Sequence, residues 1–170
     1  MTAKRKVTAS KGARRTASGS PEAQLDAFLD RYSPEVAGVA REALGRLRRR
    51  LPTSIEMVYD NYNALAIGFG PTERASDAVL SVALYPRWVS LFFLRGSNLP
   101  DPKGLLKGSG KVVRSINLAA GTSINDADVE ALVDAAVAAA PRPFAPSGAH
   151  RIVIKSVSAK QRPRRPQPIR

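Results

Sequence analysis

Between Pro52 and Gly96 the apolar pattern has the period of extended chain, and its runs are joined by connections too short to hold a crossover helix. Four strands are expected: Ile55 to Asp60, Ala64 to Gly70, Ala78 to Tyr85 and Trp88 to Arg95. Asn61 to Asn63, Pro71 to Ser76 and the corner Pro86–Arg87 supply turn chemistry between them. A parallel pair needs about a dozen linking residues, so these strands can only form an antiparallel meander. The third and fourth, VLSVALY and WVSLFFL, are apolar on alternate and intervening positions alike. That places them centrally, with helices over one face and a further cover over the other, a protein partner or second copy of the chain.

Helical spacing flanks this block. Ser20–Pro21 and Ser33–Pro34 each pair an N-cap residue with proline at the first helical position. Leu25, Phe28, Leu29 and Tyr32 follow the first signal, and Val36, Val39, Ala40, Ala43, Leu44 and Leu47 follow the second. The second helix should end near Leu51, where Arg46, Arg48, Arg49 and Arg50 complement the helix dipole. Beyond a Gly-rich passage from Gly96 to Gly110, Lys111 to Leu118 reads as a fifth strand. A helix capped by Ser123 or Asn125 then buries Val129, Leu132, Val133, Ala136 and Val137, Pro141 ends it, and Arg151 to Ser158 forms an edge strand. The expected fold is α+β, two-layer, an antiparallel sheet of about five to six strands packed against helices.

Charge divides the chain differently. All 14 carboxylates lie between Glu22 and Asp134, whereas residues 1 to 20 hold six Lys/Arg and Arg142 to Arg170 another eight. Removing those 14 from the 27 basic residues leaves 13 against 14 acids, so the net +13 belongs to the ends. Three parts are expected: a disordered basic tail over 1–20, a domain over 21–158, and a basic, Pro-rich tail over 159–170. With no cysteine and a single histidine, His150, the chain has no thiol chemistry, no Ser/His/Asp triad beside a spare imidazole, and few transition-metal options. No apolar run approaches the roughly 20 residues that span a bilayer, and the basic start lacks the apolar segment of a signal peptide. A cytoplasmic protein without membrane contact is expected, a transit peptide being the alternative.

Four groups of residues carry candidate chemistry. Tyr59, Asp60, Asn61, Tyr62 and Asn63 gather two aromatics, a carboxylate and two amides at a strand end. If the corners holding Glu73, Arg74, Arg87 and Trp88 share that end, a ligand-binding cleft with an aromatic floor results. Lys107, Lys111 and Arg114 surround Gly108 and Gly110 and can contact an anion. A P-loop is excluded, because Lys111 is followed by Val112 and not by a hydroxyl, and a strand follows instead of a helix. Lys4, Arg5, Lys6, Arg14 and Arg15 at one end, and Lys160, Arg162, Arg164 and Arg165 at the other, can neutralise nucleic-acid phosphates without reading sequence. Glu22, Asp26 and Asp30 fall at i, i+4 and i+8, a spacing that suits either a solvated acidic face or a weak oxygen-only metal site.

The strings VYDNYNALAIGFGPTER, YPRWVSLFF, KGSGKVVR, DADVEALVDAAV and IVIKSVSAKQRPRR, with the paired front helices, resemble the YdhG-like family of small bacterial domains. The resemblance covers about Pro34 to Arg165. It implies the two-layer α+β fold. One relative being regarded as a frataxin-like iron chaperone, it also implies iron as the only cofactor to consider. No nucleophile has a base beside it in the sequence, so the chain is expected to be a binding module with an unidentified ligand and not an enzyme. The alternatives are nucleic-acid association through the tails and iron delivery.

Overall fold

The computed structural model describes residues 19–118 and 122–169. Helix α1 spans Pro21–Leu29 and α2 spans Pro34–Arg50, and each opens on the serine the sequence offers. Ser20 Oγ accepts from the Ala23 N–H and Ser33 Oγ from the Val36 N–H, satisfying first-turn donors that have no partner inside the helix.

Six strands follow: β1 (Ile55–Asp60), β2 (Leu65–Gly70), β3 (Leu80–Leu84), β4 (Val89–Phe93), β5 (Arg114–Asn117) and, after helix α3 (Ala127–Ala138), β6 (Arg151–Val157). They form one sheet in the order β5-β4-β3-β2-β1-β6. The meander from β1 to β5 is antiparallel throughout, whereas β6 adds to the outer edge of β1 in parallel, so the sheet is mixed. Parallel addition follows from the long excursion through α3, which returns the chain to the end where β1 starts. Gly96 allows the turn after β4 to abut β5, since a Cβ there would sit 2.6 Å from Arg114 Cβ and 3.0 Å from Phe93 Cβ.

Period-2 alternation sorts the sheet into two faces. Val58, Leu65, Ile67, Phe69, Leu80, Val82, Leu84, Val89, Leu91 and Phe93 face the helices and join Leu25, Leu29, Ala40, Leu44, Leu47, Val129 and Leu132 in one core. The reverse face carries small residues at its centre, Gly68, Ser81, Ala83 and Ser90, with Met57 fully buried beside them. Tyr32, 1% exposed, pins the α1–α2 corner to the sheet: its hydroxyl donates to Leu84 O and accepts from the Leu65 N–H, each at 3.1 Å. Burial pushes this phenol above its ordinary pKa, against a smaller opposing pull from Arg164.

Two expectations need correction. The N-cap of α3 is Asp126, not Ser123 or Asn125, and its Oδ2 turns back to accept from the Ser123 N–H at 2.9 Å. The C-terminal segment does not leave the body at residue 159. The Arg162 N–H donates to Tyr62 O at 2.9 Å, Arg164 is 6% exposed, and the Arg165 guanidinium donates to the carbonyls of Arg31 and Asp30. Those carbonyls lie just past the end of α1, where backbone acceptors are unsatisfied and the helix dipole favours a cation. The expected disordered tail over 1–20 lies outside the described residues except for Gly19 and Ser20. Among the described residues, no helix is long and apolar enough to cross a membrane.

Candidate functional site

Strand direction decides which corners meet. β1 and β6 end where β2 begins, where β3 ends and where β4 begins, so the β1–β2 turn, the β3–β4 turn and the exit of β6 share one end of the sheet. The β2–β3 connection, with Glu73 and Arg74, lies at the opposite end. Glu73 there forms an ion pair with Arg151, the first residue of β6, and its carbonyl accepts from Lys155 Nζ at 3.0 Å. Glu73 and Arg74 therefore do not join the cleft expected at Tyr59–Asn63, Arg87 and Trp88.

Asp60 does not line that cleft either. Like Glu56 it sits on the helix-facing side of β1 with Val58, and both carboxylates are fully buried. A buried carboxylate needs partners, and each has them. Asp60 accepts from Arg31 Nη2 at 3.1 and 3.0 Å and from Arg164 Nη2 at 2.8 Å. Glu56 accepts from Arg48 Nε and Nη2 at 2.8 and 2.9 Å, and His150 Nε2 lies 3.5 Å away. Donating to Glu56, more than anything else, holds the Arg48 guanidinium above its ordinary pKa. Gln161 closes the Asp60 cluster, accepting from Arg31 at 2.7 Å and donating to Asp60 O at 3.1 Å. Two guanidiniums against one carboxylate leave this buried cluster with a net positive charge.

An open groove of about 540 Å³ runs between Asn63, the Tyr85–Trp88 corner and the segment from Arg162 to Gln167. Its aromatic element is a stacked pair, Tyr85 and Trp88, with ring centroids 4.8 Å apart and planes 20° from parallel. The ends of the corner are fixed because the Tyr85 N–H donates to Trp88 O at 2.9 Å. Trp88 remains 39% exposed, and Tyr62 beside the groove 49%. Arg162 lies over the Tyr62 ring, 5.6 Å from its centroid, a cation–π contact that leaves its N–H donors uncommitted. Arg87 is exposed with no side-chain partner among the described residues, and Arg165 completes a lining of three arginines with no carboxylate.

The structure thus joins residues that the sequence placed in different groups. Asn63, Arg87 and Trp88 from the expected cleft meet Arg162 and Arg165 from the expected tail. Arg164, also expected to meet phosphates, is instead spent on Asp60 and on the carbonyls of Asn61 and Tyr62. Tyr59 points to the reverse face, its hydroxyl 4.0 Å from Met57 Sδ, and Asn61 is an exposed turn residue. Lys160 is exposed beyond the groove, and Lys4, Arg5, Lys6, Arg14 and Arg15 lie outside the described residues. Tyr85 and Gln167 were not anticipated as lining.

The loop around Gly108 and Gly110 is mostly self-directed. Arg114 donates to the carbonyls of Gly110 and Val113, and Lys107 Nζ to Gly104 O at 3.2 Å, leaving exposed Lys111 outside these contacts. Arg41 of α2 lies 2.7 Å from Asp30 and 4.0 Å from Asp26, so two of the three acids of the stripe face a cation.

Comparison with protein-family models, curated proteins and solved structures finds no match to this chain. The resemblance to YdhG-like domains accordingly rests on the sequence strings that carry it.

Proposed function

We propose that the chain is a non-enzymatic binding module of the YdhG-like type that captures an anionic ligand in the groove at the C-terminal end of β1. The observation that carries this reading is the lining itself: Arg87, Arg162 and Arg165 converge around the Tyr85–Trp88 stack without a single carboxylate among the lining residues. Among the described residues, Arg87 and Arg162 have no carboxylate beside them and Arg165 only the partial charge at the end of α1, so an anion entering the groove relieves their mutual repulsion. Guanidiniums suit this role because their fork of donors matches phosphate or carboxylate oxygens. Arg164, whose chain neighbours Pro163 and Arg165 line the groove, belongs to a cluster that carries two arginines for one acid. Apart from the Tyr85 phenol, whose ring is stacked on Trp88, the lining side chains offer neither nucleophile nor base near neutral pH, which favours capture over chemistry.

Calorimetric titration with inorganic tripolyphosphate tests the reading. Binding that Arg87→Ala weakens several-fold, while the melting temperature stays put, supports it. Equal affinity in wild type and Arg87→Ala overturns it.

A further inference from the structure

We infer that the ligand of this groove is single-stranded nucleic acid, one base stacking on Trp88 while Arg87 and Arg162 take the flanking phosphates and Arg165 adds charge beside them. This rests on the anion-binding reading above and deepens it. Trp88 uses one ring face on Tyr85 and keeps exposed surface, so the pair is a ready-made platform that a third ring can extend. Tyr62, under the Arg162 guanidinium, offers a second aromatic surface on the same side.

Aromatic faces interleaved with cations select for a ligand that alternates flat rings and negative charges, the chemistry of an unpaired polynucleotide. In a duplex the base faces are covered by their neighbours, and among the described residues no helix or ribbon lines this groove to read a base edge. A simple polyanion would gain from the arginines but leave the rings solvated. The cations come from two segments, Arg87 from the β3–β4 corner and Arg162 and Arg165 from the C-terminal segment, and the groove they line is open to solvent. That geometry fits a strand passing through. The wall itself is fixed in place by Arg164, inserted beneath it against Asp60.

Trp88 is the only tryptophan in the chain, so its fluorescence reports stacking directly. The full chain is titrated with oligothymidylate of about ten nucleotides, a site size ordinary for such grooves, and in parallel with a duplex and with inorganic polyphosphate of matched charge. The expected result is quenching of Trp88 on binding the single strand, with the duplex and polyphosphate binding more weakly and quenching little. Trp88→Ala should weaken the single-strand affinity about tenfold and Trp88→Phe much less, while Arg87→Ala lowers the log–log salt slope by about 0.7. If polyphosphate binds as tightly as the oligonucleotide and Arg87→Ala weakens both, the anion-binding module stands and the nucleic-acid inference falls. If the duplex binds as tightly and Trp88→Ala leaves single-strand affinity unchanged, the inference falls as well. If Arg87→Ala alters neither oligonucleotide nor polyphosphate binding, both readings fall.

Discussion

Arg164 lies buried against Asp60, its Nη2 2.8 Å from Oδ1, with 4% of one side chain and none of the other exposed. Six residues from the end of the chain, in a stretch of arginine and proline, this pair ties the C-terminus into the core end of β1. Removing one partner of a buried pair costs more than the pair contributes, because the other charge is left without compensation. Arg31 still reaches Asp60, but from a position 39% exposed. Arg164→Ala should therefore lower stability by about 3 kcal/mol, near the lower end of the usual range for a broken buried pair. Urea denaturation checks this; an unchanged midpoint would mean that Arg31 alone satisfies the carboxylate.

Truncation separates this anchoring from mere charge. Ending the chain after Arg165 keeps the Arg164–Asp60 pair, the Gln161 bridge and the Arg165 contacts with α1, and should leave the unfolding midpoint where it is. Ending it after Ser158 removes all of them and should destabilise at least as much as Arg164→Ala. If both truncations behave alike, residues 159 to 165 contribute nothing to the fold.

The two layers, the six strands and the serine-proline helix starts were all legible in the sequence, because period, turn chemistry and capping are local signals. The parallel pairing of β6 was not, since it depends on where α3 delivers the chain. Nor was the docked C-terminus, for a physical reason: proline and arginine are read as solvated until a buried acid calls for them. The clue lay in β1, where Glu56, Val58 and Asp60 alternate onto one face. A strand whose apolar member faces the core carries its two acids inward with it, and each then demands a cation from elsewhere. Arg48 on α2 answers the first, and Arg31 with Arg164 the second. The groove was half legible for the same reason: its corners were marked by Asn63 and Trp88, while its other wall was counted as tail.

Tyr32 predicts an alkaline limit. Its phenol is raised by burial, so the neutral form is the one the fold holds. Its stabilising contribution is complete below the unfolded value of about 10 and is lost as pH climbs through the higher folded value. Tyr32→Phe removes the hydroxyl that joins Leu84 O to the Leu65 N–H and should cost about 1 to 3 kcal/mol at neutral pH. Above pH ~10 the variant should lose stability less steeply than the wild type. Denaturant midpoints measured across that range decide; parallel curves would refute the assignment.

Glu56 provides the complementary test of what its ion pair is for. The carboxylate is fully buried on the core side of β1, while the Arg48 side chain that grips it through two nitrogens stays 33% exposed on α2. Arg48→Met should cost about 3 to 5 kcal/mol, since His150 at 3.5 Å is a distant and partly solvated substitute partner. Adding Glu56→Met removes the stranded charge and places an apolar side chain beside Val58, in surroundings already supplied by α2 and β6. The double variant should then recover most of the loss, as buried ion pairs often exchange for apolar residues at little cost. Unfolding midpoints of the two single variants and the double give the coupling directly. A double variant as unstable as Arg48→Met alone would mean that the stranded carboxylate is not the source of the loss, and that the fold depends on Arg48 for something other than neutralising Glu56.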